Sequence, residues 1–290
     1  MLLSDKNYTD IHPCAYKVAM LKKRSVILTS LLSLMMPGLG HMYAGNIKKG
    51  LRIVVAQLSV IALLAFFGAL STFYGILALI FSIIFIYGYA LVSSFKLAHS
   101  NRHYQLKAYN RWYYYLLIFI AMTSVSGYLF TNKQQFLGYA TYQVPSSSMS
   151  PTIKPGDFIT VDTRIKNISA GDVIVFYAPQ DNSPAKQRTI YIKRVVALGK
   201  DNIAINNGVV VRNQQSESIL QVATAFRQQD YSLTMALQTV ADNTLFTLGD
   251  WRDNSRDSRH FGAIASADVI GKATYIWFAD DLQRIGRAIE

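Results

Sequence analysis

The chain has 290 residues, of which 51% are hydrophobic and only 16% are charged. Soluble domains carry about 25% charged residues, so this composition argues against an ordinary soluble protein and for a membrane protein. The net charge of +12 is uneven: residues 1–130 hold 12 Lys/Arg against 2 Asp/Glu, whereas residues 131–290 hold 17 against 15. Because the basic excess lies beside apolar runs, it indicates membrane topology signals and contact with anionic lipid rather than nucleic-acid binding.

Cysteine and histidine usage limits the available chemistry. Cys14 is the only cysteine, which excludes an intrachain disulfide and a cysteine-based zinc site. The second half of the chain has a single histidine, His260, so it lacks the histidine spacing of a metal site. Residues 1–6 are polar after two leucines, and we expect no cleavable signal peptide there.

A membrane region is predicted over residues 25–130, after a polar segment, 1–24, that ends in three basic residues and should be cytoplasmic. The apolar residues 25–43 are interrupted at Pro37. Only about a dozen of them precede the break, fewer than the roughly 20 that a bilayer span needs. Basic residues flank the stretch on both sides, so we interpret it as a re-entrant or interfacial hairpin, with a full span as the alternative.

Three full spans are predicted at about 53–70, 73–95 and 112–130. The loop between the second and the third is basic and should be cytoplasmic. The third begins with an aromatic cluster that is typical of a membrane interface. On this charge asymmetry the last span exits outward, and residues 131–290 are extracytoplasmic.

Residues 131–290 are predicted to form a mainly β, antiparallel domain. Short runs rich in β-branched and aromatic residues alternate with turn signals at close spacing and are the predicted strands: 158–161, 173–177, 189–198, 203–205, 209–211, 244–248 and 273–278. Asn207 and Gly208, between two apolar runs, predict a hairpin. A polar, glutamine-rich stretch at about 212–243 is interpreted as an insertion. The expected fold class is therefore N-terminal transmembrane helices followed by a mainly β domain.

Three serines, at 146, 147 and 148, lie between Pro145 and Pro151. Proline restricts its own backbone and that of the preceding residue, so the serines should lie on a short, stiff, irregular segment. Serine runs are more often polar linkers, and a serine hydroxyl becomes a useful nucleophile only beside a base. From the pattern alone the three hydroxyls are interchangeable.

Two residues could supply that base. His260 would complete a Ser/His/Asp triad, whereas a lysine can act when burial lowers its pKa towards neutrality. Lys193 lies in an otherwise apolar run beside Arg194, and strand alternation places the two on opposite faces. Either could be the buried one, but arginine cannot lose its proton and cannot be the base. The alternative is that both are charges on an edge strand.

The loop at 249–262 is bounded by glycines and carries three aspartates and three arginines in alternation. Such a balanced set is typical of an ion-pair network that holds a loop in one conformation, and a solvated turn is the alternative. A Ser or Asn within it could orient a neutral lysine.

Together these residues resemble the type I signal peptidases, the membrane-bound Ser/Lys proteases (family S26) that remove signal peptides from exported proteins. The resemblance covers about residues 137–280 and rests on four blocks in order: 145–152, 170–176, 191–196 and 249–262. It implies the family's β fold and no metal or organic cofactor. It also implies a bacterial inner-membrane location with the catalytic domain on the periplasmic side.

The resemblance implies a role for each candidate residue. Ser148 would be the nucleophile and Lys193 its general base. Ser146 would add its hydroxyl to the Ser148 backbone N–H in the oxyanion hole, and Ser255 would orient Lys193. Supporting ion pairs would join residues of the last block to one another and to the lysine strand: Asp257 with Arg259, and Asp250 with Arg194.

The implied partners are preprotein signal peptides with small residues at the −1 and −3 positions, and membrane lipid; no pattern indicates an oligomeric state. Two departures from the family's pattern lie in the site blocks: Ser147 replaces a glycine, and Trp251 replaces an asparagine. A third is the turn at 199–201, which lacks the usual proline. None removes a proposed catalytic atom. Two alternatives are a Ser/Lys peptidase dedicated to a specialised secretion or conjugation substrate, and a non-catalytic membrane scaffold.

Overall fold

The computed structural model describes residues 21–22, 24–100, 104–105, 111–164, 167–179 and 188–290. Most of the predicted cytoplasmic segment 1–24, with Cys14, lies outside the described residues, as does most of the basic loop's central part, 101–110. The described chain divides into two compact units. One comprises the residues up to Leu63 together with Ala78–Thr131; the other comprises Leu64–Leu77 together with Asn132–Glu290.

The N-terminal region is helical, with α1 at Val26–Met35, α2 at Leu39–Tyr43, α3 at Ile47–Phe66, α4 at Phe73–Ser100 and α5 at Trp112–Thr131. Among the described residues, α3, α4 and α5 are long and apolar enough to cross a membrane. Helix α1 has 10 residues, which at about 1.5 Å per residue reach roughly half the thickness of a bilayer core. The re-entrant arrangement of 25–43 stays a prediction.

Buried polar side chains connect the helices of the first unit. Ser33 on α1 donates its hydroxyl to Ser94 Oγ on α4 at 2.8 Å, and His41 Nε2 lies 2.7 Å from Ser93 Oγ. A Cβ on Gly40 would come within 2.0 Å of Ser33 Oγ, so only glycine allows α2 to approach α1 here. Small residues at close contacts and hydroxyl hydrogen bonds are the usual means of helix association where water is scarce.

A short helix, α6 at Lys133–Phe136, precedes the strands of the second unit. The strands are β3 at Tyr139–Gln143, β4 at Phe158–Asp162, β5 at Val173–Tyr177, β6 at Ile190–Leu198, β7 at Asn202–Asn206, β8 at Val209–Arg212, β9 at Met235–Thr239, β10 at Thr244–Leu248, β11 at Ile264–Ala265 and β12 at Val269–Phe278. Two two-residue strands, β1 at Leu21–Lys22 and β2 at Tyr104–Gln105, pair in the N-terminal part of the chain.

The large sheet has the order β11-β10-β6-β5-β12-β4-β3, and β8-β7-β9 form a smaller one. The pairs within both sheets are antiparallel. These helices and sheets confirm the predicted fold class. Strand β9 lies within the stretch 212–243, so part of that polar stretch completes the smaller sheet. Two further short helices, α7 at Asp230–Leu233 and α8 at Ser258–Phe261, flank the site described below.

Strand β5 shows why the centre of the large sheet is apolar on both faces. Val173 and Val175 belong to one buried cluster, whereas Ile174 and Phe176 belong to another. Successive side chains of a strand point to opposite faces, so a strand covered on both sides reads as a continuous apolar run. Strand β6, its neighbour, has the same environment, and any charge on β6 is placed in the interior.

Candidate active site

The segment that carries the three serines begins where β3 ends. Val144 is buried, and its N–H donates to the Asp157 carbonyl at 2.9 Å, which holds the start of the segment against the β3–β4 connection. A 3₁₀ turn follows at Ser147–Met149, with Ser146 as its cap: the Ser146 hydroxyl accepts from the Ser148 N–H at 3.2 Å. Ser148 is buried, and its backbone is held in a single turn rather than a linker.

Lys193 reaches this turn from the middle of β6. Its side chain is buried, and Nζ donates to Ser148 Oγ over 2.6 Å. The Tyr191 ring, two residues earlier on the strand, lies 5.6 Å from Nζ. Strand β6 lies between β10 and β5, so the interpretation of residues 193 and 194 as edge-strand charges is wrong. Both are in fact buried.

The environment of Lys193 favours its neutral form. Burial lowers the pKa of Lys193 from 10.5 to about 8; Asp257 and Asp250 oppose that shift, and the charge of Arg259 adds to it. A charged ammonium loses much of its hydration in a buried site, and the hydroxyl of Ser148 replaces little of it. An appreciable fraction of neutral amine is therefore present near neutral pH, and a neutral amine accepts a proton.

Arg194 points away from Lys193 and is paired. Its Nε and Nη2 donate to the two carboxylate oxygens of Asp250 at 2.9 and 2.8 Å, and Nη1 donates to the Gly171 carbonyl at 2.7 Å. The Thr152 hydroxyl donates to the same carboxylate at 2.6 Å. This two-point contact joins β6 to the loop at 249–262 and to the residues that follow the serine turn.

Asp257 and Arg259 form the second expected ion pair. Asp257 is fully buried; its carboxylate accepts from Arg259 Nε at 2.8 Å and Nη2 at 2.9 Å, and from the Gly249 N–H at 2.9 Å. Burial alone would raise the pKa of Asp257, but the hydrogen bonds and charge of Arg259 outweigh it and lower that pKa. The loop at 249–262 is therefore an ion-pair network rather than a solvated turn.

Ser255 lies in the same pocket, although its hydroxyl makes no hydrogen bond to Lys193 among the described residues. The Ser255 oxygen is buried and has no partner with ordinary hydrogen-bond geometry, yet it lies close enough to Asp257 to help lower the pKa of that carboxyl. A Cβ on Gly249 would meet Ser255 Oγ at 2.2 Å, so Gly249 leaves the space in which Ser255 sits.

His260 takes part in the loop rather than in a dyad. Its Nδ1 accepts from the Asp257 N–H at 3.5 Å, which closes the capping box of α8, and its ring packs edge-on against Tyr231. Within the described part of the chain, no hydrogen bond joins His260 to Ser148. The Ser/His/Asp alternative therefore lacks its central contact.

The matching family profile is that of signal peptidase, peptidase S26, and it covers residues 111–278. This is more than half of the chain. The chain belongs to the S26 signal peptidase family. It is thus a serine endopeptidase that removes signal peptides from preproteins, which agrees with the resemblance stated above and not with a non-catalytic scaffold. The matched residues begin at 111, so helices α1 to α4 lie outside the match.

Two relatives by sequence agree with this assignment. The chain is 33% identical over 140 residues to a probable signal peptidase I-1 of Synechocystis, an alignment that covers 47% of this chain and 69% of that protein. It is 27% identical over 151 residues to signal peptidase IB of Staphylococcus aureus, covering 46% and 75%. The crystal structure of a signal peptidase I from Enterococcus faecalis is 26% identical, with a TM-score of 0.32, and the match covers 37% of this chain and 97% of that one.

Sequence reasoning missed two contacts that hold the serine turn of this signal peptidase, and one that joins Trp251 to the 212–243 stretch. Asn254 Nδ2 donates to Ser147 Oγ at 2.9 Å, and the Trp251 N–H donates to the Ser148 carbonyl at 3.0 Å. The Trp251 ring packs edge-on against Phe226, from the 212–243 stretch. Both residues that depart from the family pattern, 147 and 251, therefore make defined contacts. In the sequence, residues 147 and 251 could have been singled out because each departs from that pattern.

Arg252 is a further residue that the sequence did not single out. It is buried to 1% exposure, and its guanidinium donates to the Gly249 carbonyl at 2.8 Å and to the Leu220 carbonyl at 3.1 Å. Burial lowers the pKa of Arg252 to about 10, against the opposing charges of Asp250 and Asp257. Arg252 thus joins the 249–262 loop to the 212–243 stretch through backbone carbonyls.

A groove of about 660 Å³ opens beside Ser148 and Lys193. Apolar side chains from β6 and the serine turn form one part of its lining, and polar side chains of the 249–262 loop with Tyr231 form another: Val144, Met149, Ile190 and Ile192 in the first set, Asp253, Asn254, Arg256 and His260 in the second. Among the described residues, no group of three or more His, Cys, Asp or Glu is placed to hold a metal.

Proposed function

We propose that Ser148 is the nucleophile and Lys193 the general base of this signal peptidase. The observation that carries the proposal is the 2.6 Å contact between Lys193 Nζ and Ser148 Oγ in a buried site. Nucleophile and base must lie within hydrogen-bond reach before any question of pKa arises. Here that distance is met, and burial lowers the pKa of Lys193 to about 8.

The reaction then follows ordinary acyl transfer. Neutral Lys193 accepts the Ser148 proton as the serine oxygen attacks the scissile carbonyl carbon, whose oxygen becomes an oxyanion. The C–N bond breaks, the lysine ammonium returns the proton to the leaving amine, and an acyl ester remains on Ser148. Lys193 next takes a proton from water, which attacks the ester, and the returned proton restores the Ser148 hydroxyl.

The oxyanion is proposed to bind the Ser148 N–H and the Ser146 hydroxyl. In the structure the Ser148 N–H donates to the Ser146 hydroxyl oxygen at 3.2 Å. A substrate carbonyl oxygen would take the place of Ser146 Oγ as the acceptor of that N–H, and rotation about χ1 would let the Ser146 O–H donate to it. Each such donor is typically worth about 3–4 kcal/mol in the transition state.

The proposed substrate is an extended preprotein segment with small residues at −1 and −3, lying in the groove beside Met149 and Ile192. The proposed location is the bacterial inner membrane, multi-pass, with the peptidase domain on the periplasmic side and the helices in contact with lipid. Support for that orientation comes from the basic residues that flank the apolar helices, because basic loops stay cytoplasmic. Ser255 is proposed to limit the space in which the Lys193 amine moves.

The dyad is tested with Ser148→Ala and Lys193→Arg in the full-length protein, with cleavage of a preprotein as the measurement. We expect activity to fall by about 10⁴-fold or more in both variants, since a nucleophile and its base act as a unit. Matched controls are Ser216→Ala and Lys200→Arg, which change exposed residues of the same types. Substantial cleavage by either dyad variant would refute the assignment.

A further inference from the structure

The turn between α3 and α4, residues Leu64–Leu77, groups with the peptidase domain rather than with the helices that it connects. Helix α3 ends at Phe66, Gly68 adopts a left-handed conformation with φ +72°, and a short 3₁₀ turn follows at Ala69–Ser71. Leu70 and Ser71 in this turn are buried to 1% and 4% exposure. A turn between two apolar helices would ordinarily be exposed, so its burial needs an explanation.

An ion pair at the end of β4 accounts for part of the burial of this turn. Arg164 and Asp162 bond through two atom pairs, Nε to Oδ1 at 3.2 Å and Nη2 to Oδ2 at 3.1 Å. The Ser71 hydroxyl donates to the same carboxylate at 3.0 Å, and Arg164 Nη1 donates to the Ala65 carbonyl at 2.8 Å. The last carbonyls of a helix lack partners, and a cation at that end is favourable, so Arg164 acts as a cap for α3.

Two glycines leave the space for that arginine. A Cβ on Gly68 would lie 2.1 Å from Arg164 Nη2, and a Cβ on Gly138, just before β3, would lie 2.3 Å from Arg164 Cδ. On the other side the Thr274 hydroxyl of β12 donates to the Ser71 carbonyl at 2.6 Å. The turn is therefore held by three strands of the large sheet, at contacts that tolerate no additional atom.

Those strands lead directly to the active site. Asp162 pairs with Tyr139 in the β3–β4 register, and β3 runs on through Val144 into the turn that carries Ser148. Apart from this turn, the peptidase domain is covalently linked to the preceding helices only through the chain that leaves α5. With that link alone, the domain would be tethered to the membrane helices at a single point of the chain.

We propose that the Leu64–Leu77 turn is a second attachment of the peptidase domain to the membrane helices, and that it positions the active site for substrates that are themselves held in a membrane. The inference rests on the proposed function, since it concerns how substrates reach the Ser148 site. A preprotein whose apolar segment lies in the bilayer presents its cleavage site at one height and in one direction. A domain that is tethered at two points of the chain has fewer accessible positions and meets such a site at a higher effective concentration, whereas a short soluble peptide gains nothing from that restriction.

The contact itself is tested by cysteine labelling in a Cys14→Ser background, with a membrane-impermeant maleimide and the full-length protein in proteoliposomes. The Ser71→Cys variant should be protected, and Ser216→Cys, at an exposed position of the 212–243 stretch, should label readily. Adding Arg164→Gln should make the cysteine at position 71 react at least about 10-fold faster, since local opening exposes it. Ready labelling of the Ser71→Cys variant with Arg164 intact would overturn the proposal.

The effect of the turn on cleavage is tested with a matched pair of glycine substitutions. Gly68→Ala places a Cβ against Arg164, whereas Gly88→Ala, within α4, meets no atom within 4 Å. We expect Gly68→Ala and Arg164→Gln to lower kcat/KM for a full-length preprotein in proteoliposomes by about 10-fold, with cleavage of a soluble signal-sequence peptide changed less than about twofold. Gly88→Ala should leave both substrates unaffected.

Equal loss with both substrates would show that the turn serves folding alone, and no loss with either would show that the attachment is dispensable. Each result overturns the inference. Neither bears on the dyad, because soluble-peptide cleavage that survives in Gly68→Ala and disappears in Ser148→Ala separates the two hypotheses.

Discussion

Lys193 and Arg194 are neighbours on β6, equally buried at 5% exposure, and they occupy opposite electrostatic environments. On one face, the guanidinium of Arg194 donates to both carboxylate oxygens of Asp250. On the other, the hydrogen bond of Lys193 goes to a serine hydroxyl, and among the described residues no carboxylate lies within ion-pair distance of it. The difference shows that burial alone does not define the role of a basic residue, because the partner decides whether its charge persists.

The largest effect is expected from removing the partner of the charged neighbour. Asp250→Ala leaves Arg194 buried without its carboxylate, and should lower the free energy of unfolding by about 3–5 kcal/mol. The double variant Arg194→Met with Asp250→Leu should recover most of that loss, because a buried ion pair can be replaced by apolar residues at little cost. Thermal unfolding in detergent measures both. A double variant no more stable than Asp250→Ala would show that apolar residues cannot replace this ion pair.

The pH dependence of cleavage tests the role of Lys193 as the base. The base must be neutral, and the pKa of Lys193 is lowered by burial to about 8. The rate with a soluble peptide should therefore rise with pH and level off above about 8, with a loss of about 50-fold on going from pH 8 to pH 6. A rate that stays constant across this range would contradict a lysine base with that pKa. The exposed Lys200→Arg variant should show the wild-type profile.

Replacing Lys193 should stabilise the protein while it abolishes cleavage. At pH 7 the wild type keeps a charged ammonium in a site that disfavours it, so Lys193→Met should raise the free energy of unfolding by about 1–3 kcal/mol after loss of the hydrogen bond to Ser148. Between pH 8 and 10.5 the unfolded lysine binds a proton that the folded one has released, so wild-type stability rises with pH. The advantage of Lys193→Met should shrink over that window. An advantage independent of pH would contradict the assigned cause.

The smallest effect concerns the hydrogen bond between Asn254 and Ser147. Ser147→Gly and Asn254→Ala should each lower kcat/KM by about two- to fivefold, as expected for loss of about 0.5–1 kcal/mol. Because both remove the same contact, the double variant should lose little more than either single one. Fully additive losses would show that the two residues act independently of each other.

Much of the fold followed from local pattern. Short β-branched runs predicted the strands around Phe176 and Val195, because a pleated surface between two apolar layers favours such residues. The pattern did not predict β3 or β9. Strand β9 lies in a polar stretch, and four of its five residues are exposed, so its conformation follows from pairing with β7 rather than from its own composition.

The order of apolar helices and β domain, the residue types of the dyad and the resemblance to the S26 family could all be predicted from the sequence, since they depend on periodicity, spacing and motif. Three features required the folded chain: the contact of Ser148 with Lys193, the equal burial of Arg194, and the packing of the turn after α3 within the β unit. These features depend on residues that are far apart along the chain. Ser148 and Lys193 are 45 residues apart, and Ser71 and Asp162 are 91 apart. Such contacts arise from strand register and from the partners available in the interior, which no local pattern encodes.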